Sequence, residues 1–220
     1  MTTAGVLHTV PALATTFDTL IGECAADVRR VHVVDAWLLQ TARREGVTDA
    51  VRAAVAEHVA HLAASGADAV LVTCSSIGEA AEVAAADMAV PVLRVDAAMA
   101  EEAVDIASAP TAAGRVAVLA TLTSTLDPTS RLVQRAAHAA GRSIEVATEM
   151  VTGASDANDA GDRATADELI AAAVERVADA ADVIVLAQAS MAGAAQSVSV
   201  DVPVLTSPAG GVRALLAALP

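Results

Sequence analysis

Cys74 is the residue whose type and position most directly suggest chemistry. It comes shortly after the apolar run Ala69-Val70-Leu71-Val72, which predicts a short strand buried on both faces, and it precedes Ser76 and Glu79, which have the spacing of a helix capping box. A cysteine between a strand and a helix N-terminus lies among free backbone N–H groups and the positive end of the helix dipole. Both lower the pKa of a thiol, so the pattern predicts a thiolate-forming cysteine. The alternative is a small buried residue that only fills space.

The rest of the composition limits what this thiol could act on. The 220 residues carry a formal charge of −14 and a pI near 4.5, which argues against nucleic acid and anionic membranes as partners. Aromatic residues make up 1% of the chain, so the core must consist of Ala, Val and Leu. Cys24 lies inside a predicted helix and is interpreted as a packing residue, and the two cysteines have no metal-ligand spacing, so no metal is expected. A basic leader segment is absent, and we expect a cytoplasmic protein.

Short apolar runs alternate with longer helical segments, which predicts an α/β fold with parallel sheets. Ligands of such folds bind at the carboxyl ends of the strands, where Cys74 is placed. The predicted strands are 5–7, 31–35, 69–72, 90–95, 115–120, 144–151, 183–186 and 202–205. The predicted helices are 16–30, 49–65, 76–87, 98–108, 127–141, 165–180 and 210–219.

Several of these helix starts are predicted from cap chemistry. Thr48 or Asp49 would cap the second helix, and Asp127 followed by Pro128 is a good N-cap and first residue for another. Thr165 and Glu168 have the spacing of a second capping box. The Gly-, Ser- and Asp-rich residues 152–163 are predicted to form an exposed loop.

The two halves of the chain repeat each other. The segment Val6-Leu7-His8-Thr9-Val10 matches Val118-Leu119-Ala120-Thr121-Leu122, 112 positions later, and Val-Pro-Val-Leu recurs at Pro91 and Pro203 with the same offset. Residues 67–74 match 181–188 with an offset of 114, which pairs Cys74 with Gln188. We therefore expect two α/β domains related by a pseudo-twofold axis, with the active site in the cleft between them. The expected domains are 1–97 with 207–220, and 98–206.

The residues at the predicted strand ends form a candidate site with neutral hydrogen-bond donors. His8 could bond Cys74 or a substrate carboxylate, or be a structural group. The hydroxyls after residue 120 could cap a helix, but they are denser than one cap needs, which favours binding. The candidate catalytic residues are Cys74 and Gln188; the candidate substrate-binding residues are His8, Thr9, Ser75, Ser76, Thr121, Ser124, Thr125 and Ser190.

Over essentially its whole length the chain resembles the aspartate/glutamate racemase superfamily, which includes hydantoin racemase, maleate isomerase and arylmalonate decarboxylase. The segment 72–76 (Val-Thr-Cys-Ser-Ser) is similar to the first cysteine motif, 119–125 to the hydroxyl-rich substrate loop, and 185–191 to the second cysteine motif. The resemblance implies an isomerase that needs no cofactor, a small carboxylate substrate and a homodimer. It also implies that one thiolate removes the α-proton and a second thiol returns a proton on the opposite face.

Gln188 departs from that pattern, because it takes the place of the second cysteine. A carboxamide donates and accepts hydrogen bonds but is not a base near neutral pH. The expectation is therefore a racemase- or isomerase-like enzyme acting on a small carboxylic or amino acid through Cys74. The open alternatives are a one-cysteine decarboxylase (a lyase), a cis–trans isomerase of a small dicarboxylate, and an inactive relative that binds a small anion.

Overall fold

Short runs of Val, Leu and Ala form eight strands, and every pairing between them is parallel. The computed structural model describes residues 1–220, and it divides into two compact units. Unit 1 contains Met1–Ala97 and Pro208–Pro220, and unit 2 contains Ala98–Ser207. Each unit has one four-stranded sheet with flanking helices, so the predicted α/β fold with parallel sheets is confirmed. No helix combines the length and the apolar character that a membrane span requires.

Unit 1 is built around the sheet that ends beside Cys74. Its strands are β1 (Thr3–His8), β2 (Arg29–Val34), β3 (Ala69–Val72) and β4 (Val92–Arg94), in the order β2-β1-β3-β4. Its helices are α1 (Pro11–Cys24), α2 (Ala36–Glu45), α3 (Asp49–Ala64), α4 (Gly78–Ala85) and α9 (Ser207–Ala217), with a 3-10 turn at Ser75–Ile77. As predicted, the Thr48 hydroxyl caps α3 by accepting from the N–H of Val51 at 3.3 Å.

Unit 2 repeats this plan. Its strands are β5 (Arg115–Ala120), β6 (Glu145–Met150), β7 (Val183–Leu186) and β8 (Val204–Thr206), in the order β6-β5-β7-β8. Its helices are α5 (Ala97–Ala107), α6 (Thr123–Ala139), α7 (Ala154–Asp159) and α8 (Arg163–Ala178), with 3-10 turns at Ala189–Met191 and Ala194–Gln196. The first strand of unit 2 begins 112 positions after that of unit 1, and the third begins 114 positions after, which are the offsets that the sequence shows.

One anchoring hydrogen bond is repeated in both units. In unit 1 the carboxylate of Asp68, just before β3, accepts the backbone N–H of Thr3 at 2.8 Å. In unit 2 the carboxylate of Asp182, just before β7, accepts the N–H of Arg115 at 2.7 Å, and that of Ala113 at 3.0 Å. These N–H groups hold the pKa of Asp182 below its usual range. Each bond ties the start of a third strand to the start of a first strand and helps to fix the register between them.

Small side chains fill the cores, as the composition predicts. In unit 1, Leu7, Val70 and Val72 pack with the apolar faces of α2 and α3, and Cys74 contacts the same cluster. In unit 2 the corresponding face carries Leu119, Ile184 and Leu186 against α8. The two inner strands of each sheet, β1 and β3 in unit 1 and β5 and β7 in unit 2, are covered on both faces, which is why they read as continuous apolar runs in the sequence.

Several predicted helix starts are wrong, and the reason is local capping. The helix predicted from residue 16 begins at Pro11, because proline is favoured at a first helical position, and Arg29 and Arg30 belong to β2. The helix predicted from residue 76 begins at Gly78, because the chain first makes the 3-10 turn Ser75–Ile77, and the N-cap residue of α4 is Ile77, which has no capping side chain. The helix predicted from residue 127 begins at Thr123, which places Pro128 inside it.

The second half of the chain contains two further differences. The cap of α8 is Asp162, whose carboxylate accepts the N–H of Thr165 at 3.1 Å, so Thr165 is the third helical residue and not the cap. The predicted loop 152–163 contains the short helix α7.

Cys24, in the first half of the chain, ends α1 with an exposed side chain, so its interpretation as a packing residue is wrong.

A buried ion cluster closes the edge of the sheet in unit 1. The guanidinium of Arg94, at the end of β4, donates to both carboxylate oxygens of Asp96 at 2.7 and 2.9 Å and to Glu82 at 3.0 Å. Arg94 and Asp96 are both buried, and the two acidic partners raise the pKa of the guanidinium. The guanidinium donors of Arg94 are therefore engaged by Asp96 and Glu82 within unit 1. The first residue of α4, Gly78, lies directly against Arg94.

We predict that Gly78→Ala lowers the free energy of unfolding by about 1 to 3 kcal/mol, the usual cost of overpacking a core. A Cβ at this position would lie 2.5 Å from Cζ of Arg94, whose ion pairs prevent it from moving aside. The matched control is Gly22→Ala in α1, where a Cβ would lie 3.7 Å from Arg30 and should be neutral or stabilising. Urea denaturation measures both variants. Equal stability of the two would contradict the prediction.

Candidate active site

Cys74 lies directly after β3, in extended backbone at φ −127° and ψ 113°, and it is the residue before the 3-10 turn Ser75–Ile77. The turn directs the backbone N–H groups of Ser76 and Ile77 at the sulfur, and the Ser76 hydroxyl also approaches it. These donors lower the pKa of the thiol. The strand ends here because the chain leaves the sheet to begin this turn.

Thr9, at the end of β1, supplies a further donor. Its side chain is 2% exposed, and its hydroxyl makes no hydrogen bond of normal geometry. The hydroxyl lies beside Cys74 and lowers the pKa of that thiol. A buried hydroxyl without a firm partner is costly, which points to a group that bonds a thiolate or a bound ligand.

Burial is the larger influence on Cys74, and it raises the pKa of the thiol above its ordinary value. The sequence-based expectation of a lowered pKa is therefore wrong for the protein without substrate. The reason is desolvation: the thiol packs against the apolar cluster of unit 1, and this outweighs the N–H groups of the 3-10 turn that follows it. The resting residue is a neutral thiol with several donors around it.

His8 is fully buried and is hydrogen bonded on both sides of its ring. Nδ1 lies 3.0 Å from Oγ1 of Thr73, and Nε2 lies 2.9 Å from Nδ1 of His32. The chain of contacts continues from Nε2 of His32 to the carboxylate of Asp18 at 3.3 Å. Arg30 donates to the same carboxylate at 2.8 Å and holds the pKa of Asp18 below its usual range. Both ring nitrogens of His8 are therefore engaged within unit 1.

The hydrogen-bond directions around His8 are consistent with a neutral imidazole. The Thr73 hydroxyl donates to the Leu7 carbonyl at 3.1 Å, so it accepts from Nδ1–H of His8, and Nε2 of His8 is left to accept from Nδ1–H of His32. Burial, with His32 nearby, lowers the pKa of His8 to about 4, so that it stays neutral at physiological pH. The two ring planes are inclined by 16°, with their centroids 5.2 Å apart.

Gln188 has the position in unit 2 that Cys74 has in unit 1. It follows β7 in extended backbone, at φ −121° and ψ 136°, and it precedes the 3-10 turn Ala189–Met191. Its Oε1 accepts the backbone N–H of Thr121 at 2.6 Å and the Thr121 hydroxyl at 3.0 Å. The backbone donor fixes the orientation of the amide, so Nε2 is left as a donor. Thr121 also corresponds to Thr9, so in both units a threonine after the first strand faces the residue after the third.

The remaining candidate residues lie at the same strand ends. In unit 1, Ser75 and Ser76 are buried in the 3-10 turn after Cys74. In unit 2, Ser124 and Thr125 lie in the first turn of α6, and Thr125 is buried. The backbone carbonyl of Ser190 accepts from Arg163 at 3.0 Å. No group of three or more His, Cys, Asp or Glu side chains is arranged to hold a metal ion.

The participation of Thr73, His32 and Asp18 could not be predicted from the sequence. His32 lies in the interior of β2 and gives no motif, although the pairing of β1 with β2 places it on the face of the sheet that His8 shares. Asp35 is a structural residue: it caps α2 by accepting the N–H of Trp37 at 3.0 Å, and it pairs with His58 at 2.8 Å.

A family model described as Asp/Glu/hydantoin racemase matches residues 11–215. The chain belongs to the Asp/Glu/hydantoin racemase family. The resemblance noted from the cysteine motif and the duplication is thereby confirmed, and so is the expectation of an isomerase, at the level of this family. No curated protein sequence matches the chain.

Solved structures related to this racemase family share the fold at low sequence identity. Glutamate racemase from Bacillus anthracis is 18% identical, with a TM-score of 0.77 over 98% of this chain and 80% of its own. An aspartate racemase homologue from Pyrococcus horikoshii OT3 is 15% identical, with a TM-score of 0.71 over 99% and 98%. A glycine-to-cysteine variant of arylmalonate decarboxylase is 19% identical, with a TM-score of 0.62 over 98% and 92%.

The buried imidazole of His8 makes folding sensitive to mild acid. Below pH 6.5 an unfolded histidine binds a proton that folded His8 excludes until about pH 4, so stability is full at neutral pH and falls across this window. We predict that the wild-type protein loses about 3 kcal/mol more between pH 7 and pH 4 than His8→Ala does. Urea denaturation at several pH values, with His58→Ala as the control, measures this. Identical pH slopes in wild type and His8→Ala would contradict it.

Proposed function

We propose that this racemase-family protein moves a proton at the carbon next to the carboxylate of a small carboxylic or amino acid, with Cys74 as the group that carries the proton. The observation that supports it is the set of donors around a half-buried thiol at the end of a parallel strand: the Thr9 and Ser76 hydroxyls and the N–H groups of Ser76 and Ile77. These donors stabilise negative charge on sulfur when it forms. Family membership supplies the reaction class, and by the resemblance no cofactor takes part.

In the isomerase-type reaction, the thiolate of Cys74 takes the proton from the α-carbon. The C–H bond breaks, an S–H bond forms, and the electron pair moves into an enolate-like carboxylate. Neutral donors stabilise that charge, and the proposal includes the hydroxyls of Thr9, Ser75, Ser76, Thr121, Ser124, Thr125 and Ser190 among them. In this proposal His8 does not bind the substrate directly, because its two ring nitrogens are already hydrogen bonded inside unit 1.

Gln188 limits what this reaction can produce. Its amide oxygen is bonded to Thr121, and its Nε2 can donate to a carboxylate or an enolate but cannot return a proton at neutral pH. With one proton carrier, the proton comes back to the face from which it left. The expected outcome is exchange of the α-hydrogen with solvent and retention of configuration.

A second candidate is decarboxylation, and the raised pKa of Cys74 favours it. Loss of CO₂ from a malonate-type substrate breaks a C–C bond and leaves its electron pair on the α-carbon. A thiol that is still protonated then gives its proton to that carbon and recovers one from water. This reaction needs a proton donor on one face and no base.

The homodimer and the cytoplasmic location expected from the sequence stay predictions.

The test follows small carboxylates in D₂O, using aspartate, glutamate and 2-substituted malonates, with NMR for deuterium at the α-carbon and chiral chromatography for configuration. We expect exchange with retention, or release of CO₂ from the malonates. Cys74→Ser should reduce the rate by about 10²- to 10⁴-fold, the usual contribution of a positioned acid or base. Cys24→Ser is the matched control and should change nothing, because that cysteine is exposed at the end of α1. Gln188→Cys should add inversion, because it supplies a second thiol.

Two outcomes would contradict the proposal. Exchange or decarboxylation that survives Cys74→Ser would remove Cys74 from the reaction. Rapid inversion by the wild type that Gln188→Ala leaves unchanged would show that another group returns the proton. Absence of any turnover, with binding of the same acids retained, would indicate a relative that binds a small anion without catalysis.

A further inference from the structure

The ends of β1 and β3 present different chemistry on the two faces of the sheet. Successive side chains of a strand point to opposite faces. Cys74 packs with Leu7 and Val72 on the face covered by α2 and α3. His8 lies on the other face, where its ring meets Phe17 of α1 at a centroid distance of 5.8 Å. The thiol of Cys74 and the imidazole of His8 therefore lie on opposite faces of the same sheet.

A hydrogen bond between side chains joins the two strands on the His8 face. The pairing of β1 with β3 ends at Leu7 and Val72, and the N–H of Thr73 donates to the Leu7 carbonyl at 3.0 Å. Beyond that point the His8–Thr73 bond, 3.0 Å between Nδ1 and Oγ1, continues the connection. Each partner directly precedes a residue of the candidate site in the sequence: His8 precedes Thr9, and Thr73 precedes Cys74.

Unit 2 shows that the fold does not require this polar pair. The same offsets that relate the two units place Ala120 at the position of His8 and Ala187 at that of Thr73. The backbone bond is nevertheless conserved between the units, because the N–H of Ala187 donates to the Leu119 carbonyl at 2.9 Å. Two alanines therefore suffice to end a pair of strands in this way. The buried polar pair occurs in the unit that carries the cysteine.

We propose that the His8–Thr73 hydrogen bond positions Cys74: it ties the ends of β1 and β3 on one face of the sheet, so that Thr9 and Cys74 meet on the other. His8 and Thr73 are then positioning residues that act through the backbone and do not touch substrate. His32 and Asp18 extend the hydrogen-bonded chain to the protein surface and hold the His8 ring in its orientation. The importance of this contact for turnover rests on the proposed function, but its effect on the thiol does not.

The titration of the Cys74 thiol tests this positioning. In a Cys24→Ser background Cys74 is the single cysteine, and the rate of alkylation by iodoacetamide against pH reports the fraction of thiolate. His8 has a pKa of about 4, so it is neutral throughout the titration and its removal does not change the local charge. A shift of the curve would therefore report a change in the donors around sulfur.

Thr73→Val removes the hydroxyl and keeps the shape of the side chain, and His8→Ala copies unit 2. Both should slow alkylation at pH 7.5 by about three- to tenfold, since a tenfold loss of thiolate corresponds to one pKa unit. Thr73→Ser and His8→Asn keep a bonding group at the same place and should stay within about twofold of the parent. His58→Ala, which removes an imidazole bonded to Asp35, is the control and should have no effect.

An unchanged alkylation curve in folded Thr73→Val and His8→Ala would overturn the proposal, and circular dichroism shows whether each variant is folded. If His8→Ala does not fold, His8→Leu replaces it, because Thr73→Val also removes the bond from the Thr73 hydroxyl to the Leu7 carbonyl at 3.1 Å. A shifted curve in a protein without turnover would support the positioning contact and contradict the proposed function. An unshifted curve in an active enzyme would do the reverse.

Discussion

The register of β1 against β3 is the constraint on which the candidate site depends. In this parallel pair Leu7 lies opposite Val72, so the next residues along each strand, His8 and Thr73, meet on one face and Thr9 and Cys74 meet on the other. A slip of one residue would move each side chain of a strand to the opposite face. The anchor from Asp68 to the N–H of Thr3 lies at the far end of the same strands and helps to hold this register. The environment of the thiol is thus set by the backbone.

The same scaffold carries different chemistry in the two halves. Each unit ends its third strand with a polar residue that faces a threonine and leads into a 3-10 turn. In unit 1 that residue is a thiol, which can exchange a proton, and in unit 2 it is Gln188, which cannot. The amide oxygen of Gln188 is bonded to Thr121, which leaves its nitrogen as a donor. A duplicated fold has therefore kept the geometry of the strand ends while it changed the chemistry in one half.

The parallel sheets and the duplication could be predicted from the sequence because both depend on periodic, local signals. Apolar runs of three to six residues mark the strands, and the matched offsets of 112 and 114 positions connect Cys74 with Gln188. Helix starts were less predictable: α1 begins at Pro11 and not at Thr16, and α8 is capped by Asp162 and not by Thr165. The cap of a short helix depends on a few backbone angles that composition does not determine.

The side-chain network and the thiol pKa could not be predicted because both depend on contacts between distant segments. His8 and His32 lie on neighbouring strands, but only the three-dimensional structure shows their nitrogens 2.9 Å apart. The position of Cys74 near a helix start suggested a lowered pKa, whereas its packing against the apolar cluster decides the opposite direction. Desolvation is a property of the assembled core and leaves no mark in a short motif.

The most direct test of the central claim, that Cys74 is where a small carboxylate is bound and turned over, is a crystal structure with bound malonate. We expect one carboxylate on the Thr9 hydroxyl, with the methylene carbon about 3.5 Å from the Cys74 sulfur, a distance at which proton transfer is productive. An ordered malonate bound elsewhere, with the sulfur in contact with protein atoms alone, would contradict it.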